Sequence, residues 1–334
     1  MDVSVFGASG YAGGQLLKIL ARHPHFNLKY AFADSKVGSK ISDEHTFLTG
    51  VYEESFQSYD ESKINQKDIL LFALPHGQSG DLAKKHSLNQ IVDLGADFRL
   101  KNSENWHRYY GGDFAGSWIY GLPELKGQKE LIANSQHVAN PGCYATVINL
   151  SLAPFIQEKI IDLNFVSVVA TSGTTGAGKK TNQKLIASEV MGTIVNYKME
   201  GKHQHIAEIQ ETLSQIGNEN IKISFNPILG PYSRGILSNT IFKTNKTINK
   251  IELISIFEEY YKDNSFINLI QERNVSTGEV IDTNNANFNI FLDENTQQVT
   301  VVGVIDNLIK GAAGQAIQNL NLMNNMDETL GFLI

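Results

Sequence analysis

The sequence predicts an α/β dinucleotide-binding domain followed by an α+β domain, and three observations carry that expectation. A β-branched strand at the very start runs through a glycine loop into a helical pattern. Apolar strands then alternate with helical segments, and beyond the middle of the chain strands and helices segregate. At 334 residues the chain exceeds one ordinary core, which suggests two domains.

Charge is mildly negative, 28 basic residues against 35 acidic with no run of like charges, so nucleic acid and anionic membranes are not expected partners. A small molecule is. The single cysteine excludes an intrachain disulfide. No apolar stretch approaches the roughly 18 to 20 residues of a membrane-spanning helix. The first residues enter a strand without a basic and then apolar leader, so a cytoplasmic location is expected.

The first strand, Val3-Ser4-Val5-Phe6, leads into Gly7-Ala8-Ser9-Gly10-Tyr11-Ala12-Gly13-Gly14 and then Leu16, Leu17, Ile19 and Leu20 at helical spacing. Glycines at these positions let the loop turn tightly, bring N–H groups against a pyrophosphate and let the helix pack close to the sheet. Gly7, Ser9, Gly10, Tyr11 and Gly13 are therefore candidate cofactor contacts. A merely tight turn is the competing reading, and placement at the first strand-to-helix turn disfavours it. The second strand, 27–33, ends at Asp34-Ser35-Lys36-Val37-Gly38, where the ribose is read. Asp34 favours NAD through the 2′-hydroxyl, whereas Ser35 and Lys36 offer a hydroxyl and a cation to the 2′-phosphate of NADP. NADP is the preferred reading, against a Lys36 that is simply a solvated surface charge.

Residues 68–74 form an apolar run suited to a central parallel strand. The loop after it, from Pro75 and His76 to Gly80, faces the ligand crevice, so Pro75 and His76 border the cofactor, His76 more as a turn residue than as a catalytic group. Residues 90–94 are the next strand, and beyond it Asp97 and Arg99 stand close enough to pair with one another.

Asn140-Pro141-Gly142-Cys143-Tyr144-Ala145-Thr146 holds the only cysteine and opens an apolar, helix-like run over 145–156. A thiol at a helix start meets unpaired N–H groups and the positive end of the dipole, and both favour thiolate. A buried, inert cysteine is the bland alternative. The turn signal Asn140-Pro141 and the open Gly142 favour a strand-to-helix elbow that presents a nucleophile.

The β-branched strand 165–171 ends in Ser172-Gly173-Thr174-Thr175-Gly176-Ala177-Gly178-Lys179, an active-site loop able to take an anion on N–H groups and hydroxyls. It lacks the Walker order. Gly201-Lys202-His203-Gln204-His205-Ile206-Ala207-Glu208-Ile209 begins a helix with Ile206, Ile209, Leu213 and Ile216 on one face. No third ligand stands at metal-site spacing, so no metal is expected and acid/base work suits the histidines better. His205 shares a helix face with Glu208, which makes His205 the acid/base candidate and His203 a substrate or phosphate contact. Surface histidines are the alternative. Strands at 221–225 and 236–242 flank Pro231-Tyr232-Ser233-Arg234-Gly235, where Arg234 is a bidentate anchor for a substrate carboxylate or phosphate, or else a surface cation. An amphipathic helix over 251–261 and strands at 288–292 and 299–304 precede Ile305-Asp306-Asn307-Leu308-Ile309-Lys310-Gly311-Ala312-Ala313-Gly314-Gln315-Ala316. A last helix then runs to about Met323.

Taken together, the glycine loop, the Asn-Pro-Gly-Cys elbow, the serine/threonine/glycine loop, the His-x-His-x-x-Glu-Ile segment and the Asp-Asn-Leu-Ile-Lys-Gly-Ala-Ala-Gly-Gln stretch resemble the N-acetyl-gamma-glutamyl-phosphate reductases of arginine biosynthesis. These lie in the wider semialdehyde dehydrogenase and glyceraldehyde-phosphate dehydrogenase group. The resemblance implies a Rossmann domain of residues 1–142 plus 310–334, whose last helix returns from the C-terminus, and a catalytic, oligomer-forming α+β domain of residues 143–309. It also implies NADPH, an acyl phosphate substrate, inorganic phosphate as product and a homodimer or homotetramer. On it, Cys143 matches the nucleophile, His203 and His205 the histidine pair, Arg234 the Arg-Gly strand, and Gly7, Gly10 and Gly13 the glycine loop. Asn140 and Ser172 are further substrate candidates. Ser172, Gly173 and Asn307 are cofactor candidates, with Asn307 or Ser172 a possible donor to the oxyanion. Lys36 departs from the arginine often found there, and Ala145 from a proline. The same chemistry on an N-succinyl-glutamyl, aspartyl or carrier-protein-linked acyl phosphate is the nearest alternative. A dinucleotide-binding redox sensor is a more distant one, since it has no use for the loop at 172–178 or for Arg234.

Overall fold

The computed structural model describes residues 1–179 and 186–332. Short apolar strands punctuated by glycine loops build the first part of the chain: β1 (Asp2–Phe6), α1 (Tyr11–Leu20), β2 (Asn27–Phe32), α2 (Ile41–Glu44), β3 (Ile69–Phe72), α3 (Ser79–Lys85), β4 (Gln90–Asp93), α4 (Ser103–Tyr109), β5 (Ile119–Tyr120), α5 (Gln128–Ala133) and β6 (His137–Ala139). The chain continues through α6 (Cys143–Gln157), β7 (Ile161–Ser172), α7 (Ala187–Val190), β8 (Val195–Asn196), α8 (His205–Gly217), β9 (Ser224–Leu229), β10 (Ile236–Thr244), α9 (Lys250–Tyr261), β11 (Ile267–Leu269), β12 (Ala286–Asp293), β13 (Gln298–Ile305) and α10 (Gly314–Met323).

Two compact units result. One comprises Met1–Pro123, Gly127–Pro141 and the segment from Ala312; the other comprises Glu124–Lys126 and Gly142–Gly311. In the first unit six strands lie in the order β2-β1-β3-β4-β6-β5, all parallel. The order reverses between β1 and β3, so the loops beyond their carboxyl ends open on the crevice where such sheets bind ligands. Every residue of β3 is buried, as a central parallel strand requires. Phe6, Phe32, Leu70, Phe72 and Ile91 join in one core beneath these loops. Helix α10 is buried almost all round, polar side chains included. Asn319 Nδ2 donates to the Gly121 carbonyl at 2.9 Å, and Asn321 Oδ1 lies 3.0 Å from His23 Nε2, so these two groups find partners within the unit.

In the second unit seven strands run β11-β12-β13-β10-β7-β9-β8 in a mixed sheet. Helix α6, buried from Tyr144 to Ile156, packs on β10 and β13, with α8 and α9 against it. Tyr261 Oη donates to the Leu150 carbonyl at 2.7 Å and fastens α9 to α6. The excursion Glu124–Lys126 groups here for a physical reason. Glu124 Oε1 accepts from the buried Lys310 Nζ at 2.6 Å, and the Lys126 N–H donates to Tyr260 Oη at 3.3 Å. The strand expected at 221–225 lies at Ser224–Leu229. It runs through Pro227, opposite Ala170 of β7, and its neighbour β8 pairs only at Ile228 and Leu229.

Candidate active site

The glycine loop is built for close approach. Gly7 has φ +72°, and a Cβ there would lie 2.3 Å from the Ala73 carbonyl oxygen; a Cβ on Gly13 would lie 2.4 Å from the Gly7 oxygen. Gly10 caps α1 in an extended conformation with no side-chain cap, so the helix meets the crevice with backbone N–H groups. Tyr11 stands exposed on the first turn and Ser9 is half-buried beside it. At the end of β2, Asp34 and Ser35 are exposed, while Lys36 Nζ pairs with Glu44 Oε1 at 2.6 Å.

Pro75 and His76 are exposed past β3, the His76 ring edge-on to Tyr110 at 5.3 Å. Asp97 does not spend itself on Arg99. Its carboxylate accepts the N–H groups of Gly77, Ser79 and Gly80 at 2.8 to 3.2 Å and so fixes the loop after β3. Arg99 donates to the Asn140 and Leu94 carbonyls, both at 2.7 Å. Asn140, expected to touch substrate, is fully buried; Nδ2 donates to the Ala312 carbonyl at 3.1 Å and Oδ1 accepts from Asn319 at 3.1 Å. It holds the entry to the elbow.

Cys143 is the first residue of α6 and is partly exposed. Gly142 caps the helix in an extended conformation, its carbonyl accepting the Thr146 N–H at 2.8 Å. Its own N–H donates to Glu208 Oε1 at 2.8 Å. That bond ties the first turn of α8, which begins at His205, to the residue before the cysteine. On another side the backbone at Gly311 presses on Cys143, since a Cβ there would stand 2.6 Å from Cys143 Cβ. Gly311 belongs to a π-helical turn, Ile309–Ala313, with its N–H donating to the Asp306 carbonyl at 2.9 Å.

His203 and His205 lie with ring centroids 4.8 Å apart. His203 is packed among Tyr144, Tyr197 and Phe225 at 5.4, 5.8 and 5.1 Å. Its Nδ1 accepts the His205 N–H at 3.2 Å, which caps the start of α8. Burial, with the neighbouring His205 and Lys198 charges adding, pushes the His203 imidazole down to about 2. Tyr197 Oη donates to Tyr144 Oη at 3.0 Å. Burial pushes both phenols up, and the nearby Cys143 charge adds to each shift. Tyr197 is a site residue that the sequence reading missed; it sits in an aperiodic stretch with only an exposed two-residue strand before it, so no pattern singles it out.

The loop after β7 is zipped to Tyr232–Gly235 rather than left open. Gly173 N–H donates to the Gly235 carbonyl at 3.0 Å, and Thr175 Oγ1 donates to the Ser233 carbonyl at 2.6 Å. Asn307 fastens both: Oδ1 accepts the Gly235 N–H at 2.7 Å and Nδ2 donates to Thr175 Oγ1 at 3.0 Å. Ser172 is buried with its hydroxyl donating to the Gly173 carbonyl at 3.1 Å. Arg234, expected to grip a substrate anion, instead donates from Nη2 to Asp306 Oδ2 at 2.6 Å and from Nη1 to Asp282 Oδ1 at 2.9 Å. Two carboxylates thus face one guanidinium at this corner. Among the described residues no His, Cys, Asp and Glu group of three or more could hold a metal ion, and no helix is long and apolar enough to cross a membrane.

Two family models match the chain: the semialdehyde dehydrogenase NAD binding domain over residues 2–134 and the semialdehyde dehydrogenase dimerisation domain over residues 143–307. The N-acetyl-gamma-glutamyl-phosphate reductase of Acidothermus cellulolyticus is 41% identical over 331 residues, which cover 98% of this chain and 96% of that protein. Its counterpart from Salinispora tropica is 41% identical over 334 residues, covering 99% and 97%. Among solved structures, aspartate semialdehyde dehydrogenase from Francisella tularensis superposes with a TM-score of 0.70 at 13% identity over 97% of this chain and 100% of that one. Aspartate semialdehyde dehydrogenase II of Vibrio cholerae gives 0.69 at 16% identity, covering 97% and 98%. At such identities the structural likeness concerns the fold alone.

Proposed function

We propose how the residues described above divide the work in a chain that belongs to the N-acetyl-gamma-glutamyl-phosphate reductase family of semialdehyde dehydrogenases. The enzyme reduces N-acetyl-gamma-glutamyl phosphate to the semialdehyde with release of phosphate. The observation that carries the division of labour is the 2.8 Å bond from the Gly142 N–H to Glu208, because it brings the histidine-bearing start of α8 to the cysteine elbow.

An acyl phosphate is already activated. Cys143 thiolate, favoured by the α6 N-terminus, attacks its carbonyl carbon; the bond to phosphate oxygen breaks, and phosphate departs to leave a thioester. His205 takes the thiol proton, returns it to the carbonyl oxygen when that oxygen gains negative charge, and withdraws it as the C–S bond breaks to free the aldehyde. Backbone N–H groups of the first α6 turn face that oxygen. His203, kept neutral by burial, positions His205 through its Nδ1 and does not itself move protons. Asn307, Ser172 and Gly173 shape the loop beside the nucleophile, and Arg234 with Asp306 braces the turn that carries Gly311.

A nicotinamide dinucleotide fits the first unit, where the loop carrying Gly7, Gly10 and Gly13 packs tightly on itself and on the Ala73 carbonyl, and α1 begins with no side-chain cap on its N–H groups. When bound, it supplies the hydride that reduces the thioester. Gly7, Ser9, Gly10, Tyr11 and Gly13 would hold its pyrophosphate, and Pro75 and His76 would border it. We assign NADPH rather than NADH because Ser35 and the Lys36 ammonium stand at the end of β2, where a 2′-phosphate is read. A homodimer or homotetramer built on the second unit is the assembly we infer, supported by the match of residues 143–307 to a dimerisation domain.

The reaction run backwards tests this. N-acetylglutamate semialdehyde with NADP⁺ should give an absorbance rise that requires inorganic phosphate, faster than with N-succinylglutamate or aspartate semialdehyde. Reduction of NADP⁺ that ignores phosphate would contradict the assignment.

A further inference from the structure

We propose that Glu44 is a specificity-determining residue: it occupies the Lys36 ammonium when no 2′-phosphate is bound and thereby weakens the preference for NADP(H) over NAD(H). The proposal rests on the NADPH reading above. Lys36 Nζ lies 2.6 Å from Glu44 Oε1, with the lysine side chain 44% exposed and the glutamate 15% exposed. The cation is thus open to solvent while the carboxylate is held.

What holds it is the glycine loop itself. Glu44 ends α2, and the next residue, the buried His45, sits with Nε2 2.8 Å from the Ala8 carbonyl oxygen. A Cβ on Gly14 would stand 2.5 Å from that ring, so His45 is wedged between the loop and the first turns of α1. The lysine end is also fixed, because the Ser39 N–H donates to the Lys36 carbonyl at 3.1 Å and the Gly38 N–H to the Phe56 carbonyl at 2.9 Å. A carboxylate is therefore anchored at the end of β2, where the adenine ribose of a dinucleotide is read.

An ion pair this exposed is weak and easily screened, so a dianionic phosphate displaces Glu44 from Lys36. Displacement does not remove the carboxylate. It stays close and repels the phosphate, and an ammonium, unlike a guanidinium, has no planar fork to serve two anions at once. Asp34, exposed nearby, meanwhile offers an acceptor to an unphosphorylated ribose. The pair thus works as an internal competitor for the 2′-phosphate.

Calorimetric titration with 2′,5′-ADP, 5′-AMP, NADP⁺ and NAD⁺ tests the proposal on the full chain. Glu44→Gln should tighten 2′,5′-ADP and NADP⁺ by about 1.5-fold to fivefold, the range of exposed charge pairs, and leave 5′-AMP and NAD⁺ unchanged. Added salt should shrink that gain, and Lys36→Ala should remove most of it in the double variant. Glu44→Asp keeps the charge on a shorter arm, so it should fall between the two and serves where the glutamine variant melts early. If Lys36→Ala weakens NADP⁺ but Glu44→Gln and Glu44→Asp leave it unchanged, the competitor role is wrong and the NADPH reading stands. If Lys36→Ala leaves the NADP⁺ to NAD⁺ ratio unchanged, the NADPH reading fails and this inference goes with it. Equal tightening of NADP⁺ and NAD⁺ would also overturn it.

Discussion

His203 and His205 are two residues apart, and the proposed mechanism gives them different duties. Burial holds His203 neutral far below its ordinary 6.5, so between those values the unfolded chain binds a proton that the folded chain refuses. Stability therefore falls as pH drops below about 6.5, at up to roughly 1.4 kcal/mol per pH unit from this group. His23, His86 and His137, lowered chiefly by burial as well, add to the slope. Melting curves from pH 7 to pH 5 should show His203→Gln losing less stability on acidification than the wild type. For His205, replacement by Asn should lower kcat by about 10² to 10⁴ in steady-state assays and remove a limb of the pH–rate profile. The histidine pair and Glu208 were legible as a spacing on a helix start. That the Glu208 carboxylate takes the Gly142 N–H was not, because the two residues are 66 apart in sequence.

At the scale of elements, the site depends on the elbow before α6 and on the π-helical turn 309–313. Gly311→Ala would place a methyl 2.6 Å from Cys143 Cβ. Either backbone or nucleophile must then move, and kcat should drop about 10²-fold, the cost of a misplacement near 1 Å, while dinucleotide binding measured by fluorescence persists. Glu208→Ala frees the Gly142 N–H in a buried setting. A loss of about 1 to 3 kcal/mol in thermal or denaturant unfolding is expected, with a larger fall in kcat than in cofactor affinity. The elbow could be read from Asn140-Pro141-Gly142-Cys143 because turn chemistry is local. The pairing of Arg234 was not legible, because its partners Asp306 and Asp282 come from 72 and 48 residues away, and nothing local separates a paired guanidinium from one awaiting an anion. The bonds of the Asn140 amide to Ala312 and Asn319 were hidden in the same way.

Over the whole molecule, the strands that carry β-branched or aromatic runs were legible, and β5, β8 and β11 were not, since two or three residues show no period. The buried polar face of α10 escaped notice too, because a helix with Gln315, Gln318, Asn319 and Asn321 inside reads as solvent-facing until its partners are in view. In the proposed mechanism each unit supplies a different requirement of the reaction: the glycine loop that would hold a dinucleotide lies in one, Cys143 and the histidine pair in the other. The central claim, that Cys143 forms a thioester before any hydride arrives, separates these requirements in time. It is tested most directly by mixing the enzyme with N-acetyl-gamma-glutamyl phosphate in the absence of nicotinamide cofactor and following phosphate release and subunit mass. The account predicts a burst of about one phosphate per subunit, with an N-acetylglutamyl adduct on Cys143, and neither in Cys143→Ser. No burst from the wild type, or an undiminished burst from Cys143→Ser, would contradict it.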